Sequence, residues 1–168
     1  SKTYRMTGHR VGALLTSKEN LIEIEKALDT FTVCPPQLGQ YAANWGLNNL
    51  EAWAAERRTE IIQRAKHFSE KFQPLSAAGW SLKGCGAYFA FVEHPFEDGS
   101  NILAPLILRD QGILLMPGTM FYPKHNPLGF RSFRIAFANI DKNKISTLLE
   151  RLKDLSYQRL NSKNNMIN

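Results

Sequence analysis

The sequence is poor in cysteine, since Cys34 and Cys85 are the only two among 168 residues. They lack the Cys-x-x-Cys spacing of metal and redox motifs, so neither a disulfide framework nor a zinc site is predicted. No apolar run approaches the roughly 20 residues that a membrane-spanning helix needs. The first residues also lack the basic, apolar and small-residue regions of a signal peptide. We therefore expect a reducing, cytoplasmic setting and no contact with membranes.

Acidic residues are also few. The sequence has 15 aspartates and glutamates and 21 lysines and arginines, so the formal net charge is +6. Such an excess of positive charge can indicate nucleic-acid binding. Here, however, the charges alternate in sign along residues 19–26 and 51–71, as they do on solvated helix faces. No basic run is interleaved with aromatic residues. We therefore expect no nucleic-acid partner, and the 43% of hydrophobic residues instead predicts an ordinary globular domain with a core.

The first half of the chain is predicted to be mainly helical, because apolar residues recur there at steps of three and four. Ser17 is a suitable N-cap for a first helix, which the proline pair at residues 35–36 should end. A second, short helix is expected over residues 38–45. The longest helix is expected to start near Asn49 and to close at Pro74.

The second half is predicted to alternate between strands and helices. Three strands are expected, over residues 87–92, 113–116 and 131–138. Between the first two strands, residues 102–111 have a helical pattern that contains Pro105, so a helix start at Pro105 is one alternative, and Gly112 should end the helix. Asp141 should cap a final helix. This order predicts an α+β arrangement, with a possible division between Pro74 and Gly79.

The first residues carry the most informative motif of the chain. Ser1-Lys2 is followed, after five residues, by Gly8-x-Arg10-x-Gly12. A lysine amine can bond covalently to the aldehyde of a cofactor. A nearby arginine presents a planar, permanently charged fork that suits two phosphate oxygens. The glycines would permit positive φ or a close backbone approach. The plain alternative is a solvated lysine followed by a surface arginine.

Further motifs follow in a fixed order. They are Thr32-Val33-Cys34-Pro35-Pro36-Gln37, then Gly86-Ala87-Tyr88-Phe89, then Gly112-Ile113-Leu114-Leu115-Met116-Pro117-Gly118-Thr119-Met120-Phe121, and finally Phe133-Arg134-Ile135-Ala136-Phe137-Ala138. Together with the lysine segment they resemble the class I/II aminotransferases, which use pyridoxal 5'-phosphate (PLP). The resemblance runs from Ser1 to about Leu155. It implies an α/β fold (α+β within this chain) of PLP fold type I. Residues 1–75 would end the large PLP-binding domain, including its connecting long helix, and residues 76–168 would form the small C-terminal domain.

The resemblance also implies roles for three residues. Lys2 would hold PLP and then move a proton at the substrate α-carbon, and Arg10 would bind the cofactor phosphate. Arg134 would bind the substrate carboxylate. The residues themselves agree in kind, because an arginine between apolar residues on a strand offers a bidentate cation at a partly desolvated place. A structural salt bridge is the plain alternative for Arg134, and Arg131 is the alternative carboxylate ligand, although it is expected to face solvent.

The implied partners are an amino acid, a 2-oxo acid and a second copy of the same chain in a homodimer. The family's other cofactor ligands precede its lysine: an aspartate on the pyridine nitrogen, an aromatic residue on the ring, and a Gly/Ser-rich helix start at the phosphate. None of these is present in this chain. We therefore expect a C-terminal fragment that needs the missing N-terminal part of the fold and is inactive alone. Residues 29–33 also lack the arginine of dicarboxylate-specific members.

Three alternatives remain open from the sequence. The lysine motif does not separate an aminotransferase from a PLP-dependent lyase or decarboxylase-like relative on the same fold. It also fits the effector-binding part of an aminotransferase-like transcription regulator, which would carry a DNA-binding domain upstream. Finally, the chain could be a non-catalytic packing domain.

Overall fold

Helices dominate the first half of the chain, as the apolar spacing predicts. The computed structural model describes residues 1–167, with side chains through residue 158. The helices of the described residues are α1 (Lys18–Phe31), α2 (Gln37–Asn49), α3 (Glu51–Lys71), α4 (Gln73–Ala77), α5 (Ser100–Gln111), α6 (Pro127–Arg131) and α7 (Lys142–Ile167). The strands are β1 (Ser81–Gly86), β2 (Phe89–Glu93), β3 (Met116–Pro117) and β4 (Ser132–Ala136), and short 3-10 turns cover Thr7–His9 and Gly118–Met120. None of the described helices is long and apolar enough to cross a lipid bilayer.

The chain divides within α3 into two compact units, Ser1–Arg58 and Thr59–Asn168. The first unit forms its helices without burying a core. α1 begins after Ser17 as predicted and ends at Phe31, ahead of the proline pair. Among the residues of this unit only Gly39 and Gly46 are buried. Leu15 and Phe31 are 97% and 83% exposed. The first unit therefore leaves its large apolar side chains available for further contacts.

A four-stranded antiparallel sheet organises the second unit, in the order β1-β2-β4-β3. Phe133, Ile135 and Phe137 are all buried as predicted, but Ser132 is buried too, so the predicted alternation holds only from Phe133 onward. Ala90 and Val92 of β2 pair with Ile135 and Phe133 and are buried with them. The helices supply most of the remaining core side chains: Phe68, Leu75, Leu103, Ile107, Ile145, Leu149, Leu152 and Leu155. The second unit thus has the single apolar core that the first unit lacks.

Hydrogen bonds fix α7 near its middle and at its start. Trp80 directly precedes β1, and its Nε1–H donates to the hydroxyl oxygen of Ser156 in α7 at 2.8 Å. Ser156 in turn donates to the carbonyl oxygen of Leu152 at 2.9 Å. At the start of the helix, Asp141 is the cap that the sequence predicts, because its Oδ1 accepts from the backbone N–H of Lys144 at 2.8 Å.

Strand β1 is an element that the sequence pattern does not predict. Gly84 and Gly86 lower its β propensity and remove the alternation of side chains that identifies a strand. Its register with β2 is irregular between Leu82 and Gly84. β2 itself starts at Phe89 and not at residue 87, because Ala87 takes a left-handed φ of +46° in the connecting turn.

Helix α5 covers Ser100–Gln111, which confirms the helical pattern of residues 102–111, and Pro105 lies inside the helix and not at its start. Inside a helix a proline removes the hydrogen bond to the carbonyl four residues earlier, here that of Asn101. Asn101 is exposed, so water can take the place of the missing donor. Gly112 ends the helix as predicted, with a left-handed φ of +65°. β3 is shorter than expected, and the longest described helix is α7 with 26 residues, not α3 with 21.

Candidate cofactor and substrate site

The predicted cofactor lysine lies in a tight, hydrogen-bonded turn. The backbone N–H of Arg5 donates to the carbonyl of Lys2 at 3.2 Å, and that of Met6 donates to the carbonyl of Ser1 at 2.8 Å. The Lys2 side chain is exposed. Its amine forms no hydrogen bond or ion pair with the described residues. The amine is therefore open to a bond with an incoming aldehyde.

A second contact closes the segment between the two candidate cofactor residues. The hydroxyl of Ser1 donates to the carbonyl oxygen of Val11 at 2.8 Å. Lys2 follows Ser1 and Arg10 precedes Val11, so this bond holds the backbone at both candidates close together. A lysine amine and a guanidinium on neighbouring backbone segments match the aldehyde and the phosphate of one cofactor.

Arg10 takes the left-handed backbone conformation, with φ +50°, at the end of the first 3-10 turn. Its Nη1–H donates to the carbonyl oxygen of Thr7 at 2.9 Å, which bends the side chain back over the turn. The side chain is exposed, and its other N–H groups form no hydrogen bond with the described residues. The guanidinium therefore keeps donors free for two phosphate oxygens.

The motif glycines do not have the role that the sequence predicts. Neither Gly8 nor Gly12 has a positive φ, and a Cβ built on either would meet no atom within 4 Å. The left-handed conformations belong instead to Arg5, with φ +53°, and to Arg10. The close approach occurs at Gly39 in α2, where a Cβ would lie 3.0 Å from the carbonyl oxygen of His9. Because Gly39 is distant in sequence, motif spacing gives no signal for it.

Arg134 lies on β4, where it pairs with Phe91 of β2 on one side and Met116 of β3 on the other. The residue is half-buried. Its guanidinium carbon is 4.2 Å from the centroid of the Phe89 ring and 4.5 Å from that of Phe121. Its Nε is buried and has no hydrogen-bond partner. We expected the residues next to Arg134 on the strand to desolvate its guanidinium partly. The rings of Phe89 and Phe121 cover it instead.

The salt-bridge alternative for Arg134 finds no support in the described residues of the second unit. The part of this unit that the structure describes supplies no carboxylate partner for Arg134, so no structural salt bridge is seen there. Arg131 ends α6 and is exposed, as expected. One of its terminal nitrogens donates to the carbonyl oxygen of His94 at 3.4 Å. This contact uses one donor of Arg131, so Arg131 stays the alternative carboxylate ligand.

The sequence analysis missed the aromatic partners of Arg134. Phe89 ends the Gly86 to Phe89 motif, and Phe121 ends the motif that starts at Gly112. Each of the three motifs of the second half thus contributes one residue to the same cluster. The first two motifs each end in an aromatic residue, and this was the only hint that aromatic rings contribute to the site. Nothing in a linear sequence shows that both rings contact the same arginine.

The half-buried thiol of Cys85 does not add a nucleophile. Cys85 lies on β1, and its Sγ is 3.6 Å from the carbonyl oxygen of Ala65. Burial raises the pKa of the Cys85 thiol above its ordinary value. The thiol therefore stays protonated at neutral pH, and only the thiolate is a strong nucleophile.

Comparison with known proteins decides the family. The family profile described as "Aminotransferase class I and II" matches residues 1–152. The chain belongs to the class I and II aminotransferases. Its α/β fold is that of PLP fold type I. Members of this family depend on PLP, so the exposed amine of Lys2 and the unoccupied donors of the Arg10 guanidinium are the groups to test against that cofactor.

Individual relatives agree with this assignment. The chain is 31% identical over 159 residues to the "(5-formylfuran-3-yl)methyl phosphate transaminase" of Methanocaldococcus jannaschii, covering 92% of this chain and 40% of the relative. It is 30% identical to the "Histidinol-phosphate aminotransferase" of Syntrophus aciditrophicus, covering 92% of this chain and 39% of the relative. A solved aminotransferase from Mycobacterium tuberculosis superposes with a TM-score of 0.75 at 25% identity, covering 94% and 40%. The chain thus spans about 40% of the length of the Methanocaldococcus jannaschii transaminase.

The residues of the first unit fit PLP in kind. PLP carries an aldehyde and a dianionic phosphate. Lys2 offers an exposed amine, and Arg10 offers a permanent cation with donors that no described residue occupies. The described residues contain no group of three or more potential metal ligands.

Proposed function

We propose that this chain is the C-terminal part of a PLP-dependent aminotransferase that moves an amino group between an amino acid and a 2-oxo acid. In this proposal residues 1–75 complete the large PLP-binding domain and residues 76–168 form the small domain. The observation that carries it is the half-buried cation of Arg134, to which the described residues offer no hydrogen bond and no carboxylate. A partly desolvated charge without an internal partner is unfavourable until an external anion binds. The α-carboxylate of an amino acid is such an anion.

Each candidate residue then has a defined task. The amine of Lys2 would bond to the aldehyde carbon of PLP, and Arg10 would donate to its phosphate. When bound, PLP supplies an electron sink for the negative charge that develops at the substrate α-carbon. Arg134 would hold the carboxylate and so fix the position of the α-carbon. The Nζ of Lys2, once displaced by the substrate amine, would move the proton from the substrate α-carbon to the C4′ carbon of the cofactor.

The exposed apolar surface of the first unit supports the proposed partners. Several large apolar side chains there are more than 60% exposed: Leu14, Leu15, Phe31, Val33, Leu38, Tyr41 and Leu47. Covering such surface gains about 25 cal/mol per Å². We propose that the N-terminal part of the fold and a second subunit of a homodimer cover it. The groups that hold the PLP ring would lie in that N-terminal part, so the 168-residue chain alone should be inactive.

The test compares the complete protein with the 168-residue chain. Each is mixed with PLP, a panel of amino acids and a panel of 2-oxo acids, and the new amino acid is measured by chromatography. We expect turnover from the complete protein only. Lys2→Ala should abolish it, whereas Lys18→Ala, which removes another exposed lysine of the first unit, should not. Tight, stoichiometric PLP binding with turnover by the 168-residue chain would contradict the need for the N-terminal part.

The products separate the proposal from its alternatives. Transamination yields a new amino acid and a new 2-oxo acid in equal amounts. A lyase would instead release a fragment of the substrate without a second amino acid. An effector-binding domain would bind PLP and the amino acid without turnover. Either of these results from the complete protein would replace the proposed function.

A further inference from the structure

The Arg134 guanidinium is enclosed by two aromatic rings that come from separate elements. Phe89 is the first residue of β2, and Phe121 follows the second 3-10 turn. Both centroids lie within 4.5 Å of the same guanidinium carbon. The two rings nevertheless make no ring contact with each other, although each has other aromatic neighbours. Two separate rings therefore contact the same guanidinium carbon.

The surroundings hold the Phe121 ring in place. The backbone N–H of Phe121 donates to the carbonyl of Gly118 at 2.8 Å. Gly118 lies close to neighbouring backbone, because a Cβ there would lie only 2.7 Å from the carbonyl oxygen of Gly129 and 2.8 Å from that of Ser132. On its other side the ring meets Phe91 edge-on, with centroids 6.0 Å apart and an interplanar angle of 79°. The ring is thus anchored by backbone and side-chain contacts.

The enclosure leaves one part of Arg134 open. Its Nε is buried and has no hydrogen-bond partner. The two terminal nitrogens, Nη1 and Nη2, also have no hydrogen-bond partner among the described residues, but they are not fully buried. Nη1 and Nη2 are therefore the donors left for a carboxylate, whereas the buried Nε is closed to it.

From this geometry we infer that Phe89 and Phe121 are positioning residues, which hold the Arg134 guanidinium so that a substrate carboxylate binds end-on to its two terminal nitrogens. This inference rests on the proposed aminotransferase function. A guanidinium that stacks on aromatic faces is pre-ordered, and fewer side-chain rotamers are then lost when the carboxylate binds. The rings would act through Arg134 and not on the reacting atoms.

The test uses the complete enzyme and its fastest amino-acid substrate from the panel. Phe121→Leu and Phe89→Leu should each raise KM for this amino acid about threefold to tenfold, with kcat changed less than twofold. Phe121→Tyr keeps the ring face, so its KM should stay within twofold of wild type. KM for the amine that lacks the carboxylate should be unchanged in all variants.

Phe130→Leu is the matched control. Phe130 is 43% exposed and Phe121 is 44% exposed, so the two changes remove similar apolar surface. Phe130→Leu should leave KM unchanged. A merely structural role of Phe121 would lower the amount of active enzyme, and therefore kcat, without moving KM.

Each contrary result has a distinct meaning. Unchanged KM in both leucine variants, with a raised KM in Arg134→Lys, would overturn the positioning role and leave the proposed function standing. A raised KM in Phe121→Tyr or in Phe130→Leu would also overturn the positioning role, because the aromatic face over Arg134 would then not be the cause. A complete wild-type enzyme that transaminates no amino acid would overturn the proposed function, and this inference with it.

Discussion

The buried bond between Trp80 and Ser156 offers a direct test of how the second unit is held together. Both side chains are buried, and the indole N–H donates to the serine hydroxyl at 2.8 Å. Ser156→Ala removes one oxygen atom, so the cavity is small. It leaves the indole N–H buried without an acceptor, and such a group costs about 1–3 kcal/mol. We therefore expect the free energy of unfolding to fall by about 1–3 kcal/mol.

The assay is urea unfolding of the 168-residue chain, followed by circular dichroism so that tryptophan changes do not alter the signal. Trp80→Phe and the double variant complete a thermodynamic cycle. Since the phenylalanine variant has no indole N–H to leave unpaired, Ser156→Ala should cost less in that background, with a coupling of about 1 kcal/mol. Strictly additive effects would show that the bond contributes nothing.

Thr147→Ala is the matched control for the Ser156 experiment. Thr147 lies in the same helix, and its hydroxyl donates to the carbonyl of Asn143 at 3.1 Å, as Ser156 does to Leu152. Thr147 is exposed and accepts from no buried donor. Its replacement should change the free energy of unfolding by less than about 0.5 kcal/mol. If Ser156→Ala were equally mild, the indole N–H would have another acceptor and the argument would fail.

Three further predictions concern the candidate site and its support. Arg134→Lys in the complete enzyme should raise KM for amino acids about tenfold to hundredfold, because lysine keeps the charge but loses the planar fork of the guanidinium. Steady-state kinetics would test this with an amino acid and the matched amine that lacks the carboxylate. An unchanged preference for the acid would move the carboxylate site to Arg131. Arg10→Ala should weaken PLP binding by about 1.5–3 kcal/mol in an absorbance titration, because one charge-assisted contact is lost; unchanged affinity would refute the phosphate role. Gly118→Ala should lower the free energy of unfolding by about 1–3 kcal/mol because its Cβ would meet backbone atoms, whereas Gly84→Ala, with open space around it, should not destabilise the chain in the same urea assay.

Local signals account for the parts of the fold that the sequence predicts. Asp141 and Gly112 mark helix ends because a cap and a left-handed residue are properties of one or two positions. The alternation along β4 is also local. Strand β1 could not be predicted, because Gly84 and Gly86 leave no pattern and its strand geometry comes from pairing with β2. The division inside α3 is invisible for the opposite reason, since helical periodicity continues across it.

The candidate site shows the same limit. Lys2, Arg10 and Arg134 could be proposed because each lies in a motif with characteristic spacing. The rings over Arg134 could not, because Phe89 and Phe121 join it only through strand pairing and a turn. The left-handed φ of Arg10 was also unpredictable, because a non-glycine residue gives no local indication of that conformation.

The strand order β1-β2-β4-β3 constrains how the second unit forms during synthesis. β2 and β3 are made before β4, yet each pairs with β4 and not with the other. Until residue 136 has left the ribosome, only the β1–β2 hairpin can form, and an isolated hairpin is marginally stable in water. The buried residues of α7 are made later still. The second unit therefore cannot fold stepwise from its N-terminal side, and its aromatic strand β2 lacks its partner until β4 has been translated, which leaves it accessible to chaperones.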